Sequence, residues 1–192
     1  TWSGIGLYSA TFLCGAAGVL PTNASVTFGV SYSQRAFLNL NGFDQQVKYI
    51  DFTTYSQPGA TTTNMAVQSA APATLTLQGD SAARPFVGYF AGQASLRHRN
   101  TGTLAFTTAQ SASTTTGDLL IETGTVSFVQ GASWTGSTNI TVSAGTLSVA
   151  GGTGSTFGGS STALNKTRLH LTSASTVYLA AGVSDYVYAL TL

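Results

Sequence analysis

The sequence predicts an all-β protein, a single-stranded parallel β-helix (β-solenoid) wound in coils of about 21–22 residues. Three observations lead there. Apolar residues recur as pairs separated by one residue, as in Val26/Phe28, Leu75/Leu77, Leu119/Ile121 and Ile140/Val142, so each pair faces one side of a strand. Near-identical pentapeptides, GTLAF at 102–106, GTVSF at 124–128 and GTLSV at 145–149, return after 22 and then 21 residues. Helical spacing of apolar residues is almost missing, and Gly, Ser and Thr fill the stretches between pairs.

The elements follow in chain order. Val26/Phe28 and Leu38/Leu40 are early strands, and Asn41-Gly42 after them is a tight turn where positive φ is cheap. Residues 51–99 hold Pro58, Pro72, Pro85 and the polar run TTTN at 61–64. That part of the single domain, 1–192, is expected to be less regular, with longer loops or degenerate coils. From residue 102 the period is strict. Leu104/Phe106, Val126/Phe128, Leu147/Val149 and Leu169/Leu171 are read as one core ladder, with Leu119 and Ile140 starting a second. Strands in step with turn-rich connections describe stacked coils. The alternative, an antiparallel sandwich, has strands every ~8–12 residues without a longer period. Gly-Thr before each pentapeptide strand resets chain direction, Gly151-Gly152 is a further turn, and DYVYALTL at 185–192 reads as a closing strand.

Composition narrows the function. The chain is 43% hydrophobic and only 7% charged, with a net charge of +1, against roughly 25% charged in an ordinary soluble domain. No basic face for nucleic acid is expected; Arg97-His98-Arg99 is the one basic cluster, read as an exposed turn or a local solubility device. No run approaches the roughly 18 apolar residues of a membrane helix, so membrane insertion is not expected. The opening TWSGIGLYSATFLCGAAGVL lacks a basic leader and reads as mature chain. Cys14, the only cysteine, is read as a small buried hydrophobe, with an intermolecular bridge as the lesser alternative. Few Lys and Glu and many Thr and Ser suit a secreted surface protein.

Catalytic patterns were tested against the acids and histidines. Glycoside hydrolysis needs two facing carboxylates. Asp118 and Glu122 lie four residues apart, about 13 Å along a strand, which is too far for a retaining pair. Asp44 is read as a turn residue, with Asp185 in the matching place. His98 and His170 are far apart in sequence, and His170 alternates with Leu169 and Leu171, which turns it to solvent. There is no GxSxG elbow. GGTGSTFGG at 151–159 has neither the Lys of a phosphate loop nor the Asp of a calcium turn, and reads as a flexible corner. Sequons at Asn23, Asn139 and Asn165 are expected by chance in so Thr-rich a chain. No catalytic residue, cofactor or metal ligand is assigned. Trp2, Tyr8, Tyr178, Tyr186 and Tyr188 are the candidate surface, either for stacking on sugars or for contact with a neighbouring subunit.

LNLNGFDQQV at 38–47 resembles the signature of autotransporter-associated β-strand repeat proteins, and LPTNASVTFG at 20–29 is similar to the strand that precedes it. Residues 161–190 look like a second copy, TRLHL answering ASVTF and TVYLAAGVSDYV answering FLNLNGFDQQV. The GTL-type strands match the middle of the repeat; 51–99 is not covered. The resemblance implies a right-handed parallel β-helix, exported by bacteria and displayed or assembled outside the cell. No segment reads as the membrane-embedded translocator barrel. The function expected is therefore structural: an extracellular subunit whose partners are copies of itself, stacked into a filament, tube or surface layer, or else one segment of a longer array. A monomeric adhesin or carbohydrate-binding β-helix that contacts surface glycans is the alternative. A polysaccharide-degrading enzyme using Asp118 and Glu122 is the third.

Overall fold

A computed structural model of the chain describes residues 4–30, 35–54, 65–107, 112–129, 131–137, 139–150, 156–157, 167–181, 183 and 187–192. These contain no helix, and all strand ladders are parallel, stacked as a β-solenoid with a spacing near 23 residues. The chain passes alternately between two walls, so neighbouring strands in one wall lie a whole coil apart in sequence. One wall comprises β1 (Gly4–Tyr8), β3 (Ser25–Val30), β6 (Tyr49–Thr54), β8 (Arg84–Phe86), β10 (Thr103–Phe106), β13 (Thr125–Val129), β16 (Thr146–Ala150) and β18 (Thr176–Leu179). It is hydrogen-bonded as two sheets, β1-β3-β6 and β8-β10-β13-β16-β18.

The second wall is a nine-stranded sheet. It runs β2 (Thr11–Leu13), β4 (Ala36–Asn39), β7 (Met65–Leu77), β9 (Tyr89–His98), β12 (Leu119–Ile121), β15 (Asn139–Val142), β17 (Arg168–Leu171) and β19 (Ala189–Thr191), with β5 (Gln45–Val47) also beside β7. A short third sheet pairs β11 (Ala112–Ser113) with β14 (Ser133–Trp134).

The apolar pairs face inward as the alternation requires. Leu104, Val126 and Leu147 stack in register, as do Phe86, Phe106, Phe128 and Val149, all buried. Aromatic rings continue that second column: Phe106 and Phe128 are stacked at 5.0 Å, and Phe128 meets Phe157 edge-on at 6.0 Å. Removing each such side chain from water contributes about 1.5–3 kcal/mol. Between the inward residues stand Thr125, Ser127, Thr146 and Ser148, half-buried on the outer face.

One rung of the expected ladder is misplaced. Leu169 does not stack on Leu147 but on Ile140 of the other wall, and Leu171 stacks on Val142. The residue above Leu147 is Val177, 30 positions on, because the coil that begins at β16 is longer than the 21-residue coil before it. A step of 22 residues from Leu147 therefore lands on the wrong wall. The same slip undoes the second copy: ASVTF forms β3 of the first wall, whereas TRLHL forms β17 of the second.

Residues 65–98 are not degenerate coils either. They form the two longest strands, β7 and β9, paired along most of their length with a register shift between Ser69 and Ala73. Pro72 falls inside that bulge, where a residue lacking an N–H breaks no ladder bond. Pro58 and TTTN lie outside the described residues, as do Gly151-Gly152. Of GGTGSTFGG only Thr156 and Phe157 are described; Phe157 is buried in the core, so at that point the corner is an anchor. Asn41 and Gly42 take positive φ (54° and 81°), as their turn demands.

Candidate functional site

The large apolar side chains that remain exposed among the described residues sit at the two ends of the solenoid. Before β3 they are Tyr8, Leu13 and Val19; from β18 onward they are Tyr178, Leu179, Tyr188, Leu190 and Leu192. Two of them occupy core columns. Leu179 stacks on Val149 and Leu190 on Leu169, yet they are 46% and 55% exposed, because no described coil covers them. Among the described residues the strands that carry Tyr8, Leu13, Tyr178, Leu179 and Leu190 are edges: β1 and β2 pair only with β3 and β4, and β18 and β19 only with β16 and β17. Such edges present unmatched N–H and C=O groups.

The candidate aromatic surface divides accordingly. Tyr8 belongs to the first coil, its ring lying across Gly6 and Gly29, where a Cβ on either glycine would come within 2.4 Å of it. Tyr178 and Tyr188 belong to the last coils, Tyr188 with the Arg168 guanidinium 5.9 Å from its ring centre. Tyr8 and the two late tyrosines thus stand at opposite ends and form no common stacking platform. Trp2 and Tyr186 lie outside the described residues. The aliphatic members were missed in the sequence: only the lack of a neighbour distinguishes Leu179 and Leu190 from core residues, whereas Leu13 is level with Asn39 on the outer face of the second wall.

Several charged side chains are engaged in pairs, most of them between coils. Arg84 donates to Asp80 (2.7 Å) and Asp51 (3.3 Å) and lies 3.9 Å over the Tyr49 ring. Burial pushes the Asp80 carboxyl up, but the bonds from Arg84 and the Ala82 N–H outweigh it and hold it below the usual carboxylate range. Glu122 accepts from Arg97 (2.5 Å) and pairs with Arg99 (2.7 Å). Asp44 accepts the Thr74 N–H of the next coil (2.7 Å), a structural role, though a different bond from the one within its own turn. Asp185 lies outside the described residues.

Arg97-His98-Arg99 is thus no free basic turn. His98 ends β9 and faces inward, only 1% exposed, beneath the pair that clamps Glu122. His170 is half-buried on the outer face of β17. Cys14 is buried, which pushes its thiol pKa up and keeps it protonated. Among the described residues no group of three or more His, Cys, Asp and Glu side chains could hold a metal ion, and no helix is long and apolar enough to cross a membrane.

No protein-family model, no curated protein and no solved structure matches the chain.

Proposed function

We propose that the chain is a structural β-solenoid subunit of the bacterial cell exterior, stacking end to end on copies of itself into a filament, tube or surface layer. The observation that carries this reading is the exposure of Leu179 and Leu190, inward positions that no described coil covers, which a copy of the chain or a further coil of the same array would bury. A first coil with inward Leu7 and Phe12, on parallel strands with edges of their own, is a chemically suitable cover. Joining the last coil of one copy to the first of the next is a heterologous contact, and a contact of that kind propagates.

Two further features support it. Of the acids, Glu122 is held by two arginines of the neighbouring coil, and Asp51 and Asp80 by Arg84. The 7% charged content leaves little electrostatic repulsion between ends. The outside location rests on composition and on the resemblance of 38–47 to secreted repeat proteins.

The test is electron microscopy with analytical ultracentrifugation across a wide range of protein concentration. The expected result is species that lengthen with concentration, and loss of lengthening when Leu13→Asp and Leu190→Asp are combined, with the circular dichroism of the fold retained. Short monodisperse rods at every concentration would overturn the proposal.

A further inference from the structure

Away from the ends, a cavity of about 270 Å³ opens on the outer face of the second wall. Its lining includes Thr74 of β7, Ser95 and Arg97 of β9, Asp118 just before β12, Leu120 of β12 and Thr141 of β15. The parallel register builds it. Thr74 is level with Ser95, and Asp118, preceding the Leu119–Leu96 pair, falls in the same outward row. Arg97, Leu120 and Thr141 make the adjoining row. A small serine between longer neighbours leaves a dip whose walls are polar and whose one apolar side chain among these six is Leu120.

The charges around this dip are already matched. Arg97 donates from Nε and Nη2 to Glu122 (3.1 and 2.5 Å), and Asp118 accepts from Asn139 Nδ2 (3.2 Å). An anion entering here meets Asp118 and a cation meets Arg97, so net charge gives neither an advantage. A neutral polyol meets no such conflict. Guanidinium carries five N–H donors and carboxylate about four acceptor positions, so both groups suit ligand hydroxyls while keeping their protein partners. Thr74, Ser95 and Thr141 add hydroxyls that donate or accept, and Leu120 offers a surface for the C–H face of a ring. The volume lies just below the roughly 300–1,000 Å³ of drug-sized sites, which limits the occupant to about one ring.

We propose that this cleft is a subsite for a single neutral sugar ring, held by Asp118 and Arg97 through its hydroxyls and by Leu120 through its apolar face. It goes beyond the structural role and holds whether or not the ends stack, since no residue of it belongs to either end. The test is saturation-transfer NMR on the 192-residue chain with methyl glycosides of glucose, galactose, mannose and N-acetylglucosamine, and with glutamate and inorganic phosphate as charged comparators. At least one glycoside is expected to receive saturation and the two anions none. Thr141→Trp, which fills the cleft, and Asp118→Ala, which removes an acceptor, should each weaken binding about tenfold, as loss of a hydrogen bond to a charged group implies. Both positions face outward, so thermal midpoints should stay near that of the parent; if Asp118→Ala fails to fold, Thr141→Trp carries the test alone. No transfer to any glycoside, transfer to the anions as strong as to the sugars, or binding that survives the substitutions would overturn the assignment.

Discussion

His98 stands in an aliphatic column, between Leu77 of one coil and Ile121 of the next. Its Nε2 donates to the Gly102 carbonyl at 3.3 Å, while Nδ1 has no partner. Burial pushes the imidazole pKa below its ordinary 6.5, outweighing the carbonyl bond that favours the charged form. The group is neutral in the fold and titrates near 6.5 when unfolded. Its contribution is therefore constant above that pH and is lost as pH falls below it, by at most about 1.4 kcal/mol per pH unit, until the folded pKa is passed. His98→Leu should keep the thermal midpoint at neutral pH and flatten its decline on the acid side, which scanning calorimetry from pH 7 downward would detect. The i, i+2 alternation with Leu96 could have revealed the inward setting, but the flanking arginines make 97–99 read as an exposed turn. Other buried polar side chains act as staples between coils. Asn100 accepts the Asp80 N–H, donates to the Lys48 carbonyl, and lends its own carbonyl to Thr123. Gln45 in the same way holds Leu20 and Ala16. No local pattern announces these, because the partners lie a coil or more away. Facing gives a simpler check. Leu147→Asp should cost several kcal/mol, combining lost burial with an unpaired charge, whereas Ser148→Asp should stay within about 0.5 kcal/mol. Equal thermal shifts would contradict the alternation in β16.

The Gly-Thr-apolar repeat is intelligible once strands are seen stacked. Thr125 N–H bonds to the Gly102 carbonyl and Thr146 N–H to that of Gly124, so the repeated glycines form a column at the corner. A Cβ on Gly102 would lie 2.1 Å from the Ala82 carbonyl oxygen, and one on Gly124 2.2 Å from that of Asn100. Coils approach too closely there for any side chain, and Gly124 also has φ of +65°. Gly124→Ala should therefore cost at least about 1–3 kcal/mol, from left-handed backbone alone, measured as a shift in denaturant midpoint with unchanged m-value. The period that revealed the fold thus reflects a backbone constraint. It misassigned Leu169 for a related reason: the constraint fixes what happens at a corner and leaves the length between corners free. The coil from Leu147 to Val177 takes 30 residues where its predecessor took 21. Prolines misled in the other direction. Pro72 sits in a bulge of a long strand, and Pro85 lies in β8, where the first wall divides and no ladder to β6 forms. Arg84 spans that division through Asp51 and Asp80.

A stack of coils has nearest-neighbour energetics: each interior coil is covered on both sides and each terminal coil on one. Fold class follows from this and was legible, because the inward columns require the same residue types at each turn. The open ends were legible only in part, since whether Leu190 is core or surface depends on a neighbour that its own alternation does not reveal. Local opening should be easiest where cover is missing. Amides of β2 and β19 should exchange fastest among the strands, and those of β9, β10, β12 and β13 slowest, in dilute solution. If ends join, the unpaired groups of β2 and β19 acquire partners and inward Leu179 and Leu190 leave water. Their protection should then rise with protein concentration while that of the central strands stays unchanged, since the central strands already have both neighbours. Binding to the folded state also raises apparent stability by mass action, so the thermal midpoint should climb over the same concentration range. Both changes should vanish in the Leu13→Asp/Leu190→Asp double variant. Protection that rises uniformly along the chain would instead indicate association through the side walls, and the end-to-end geometry would be excluded.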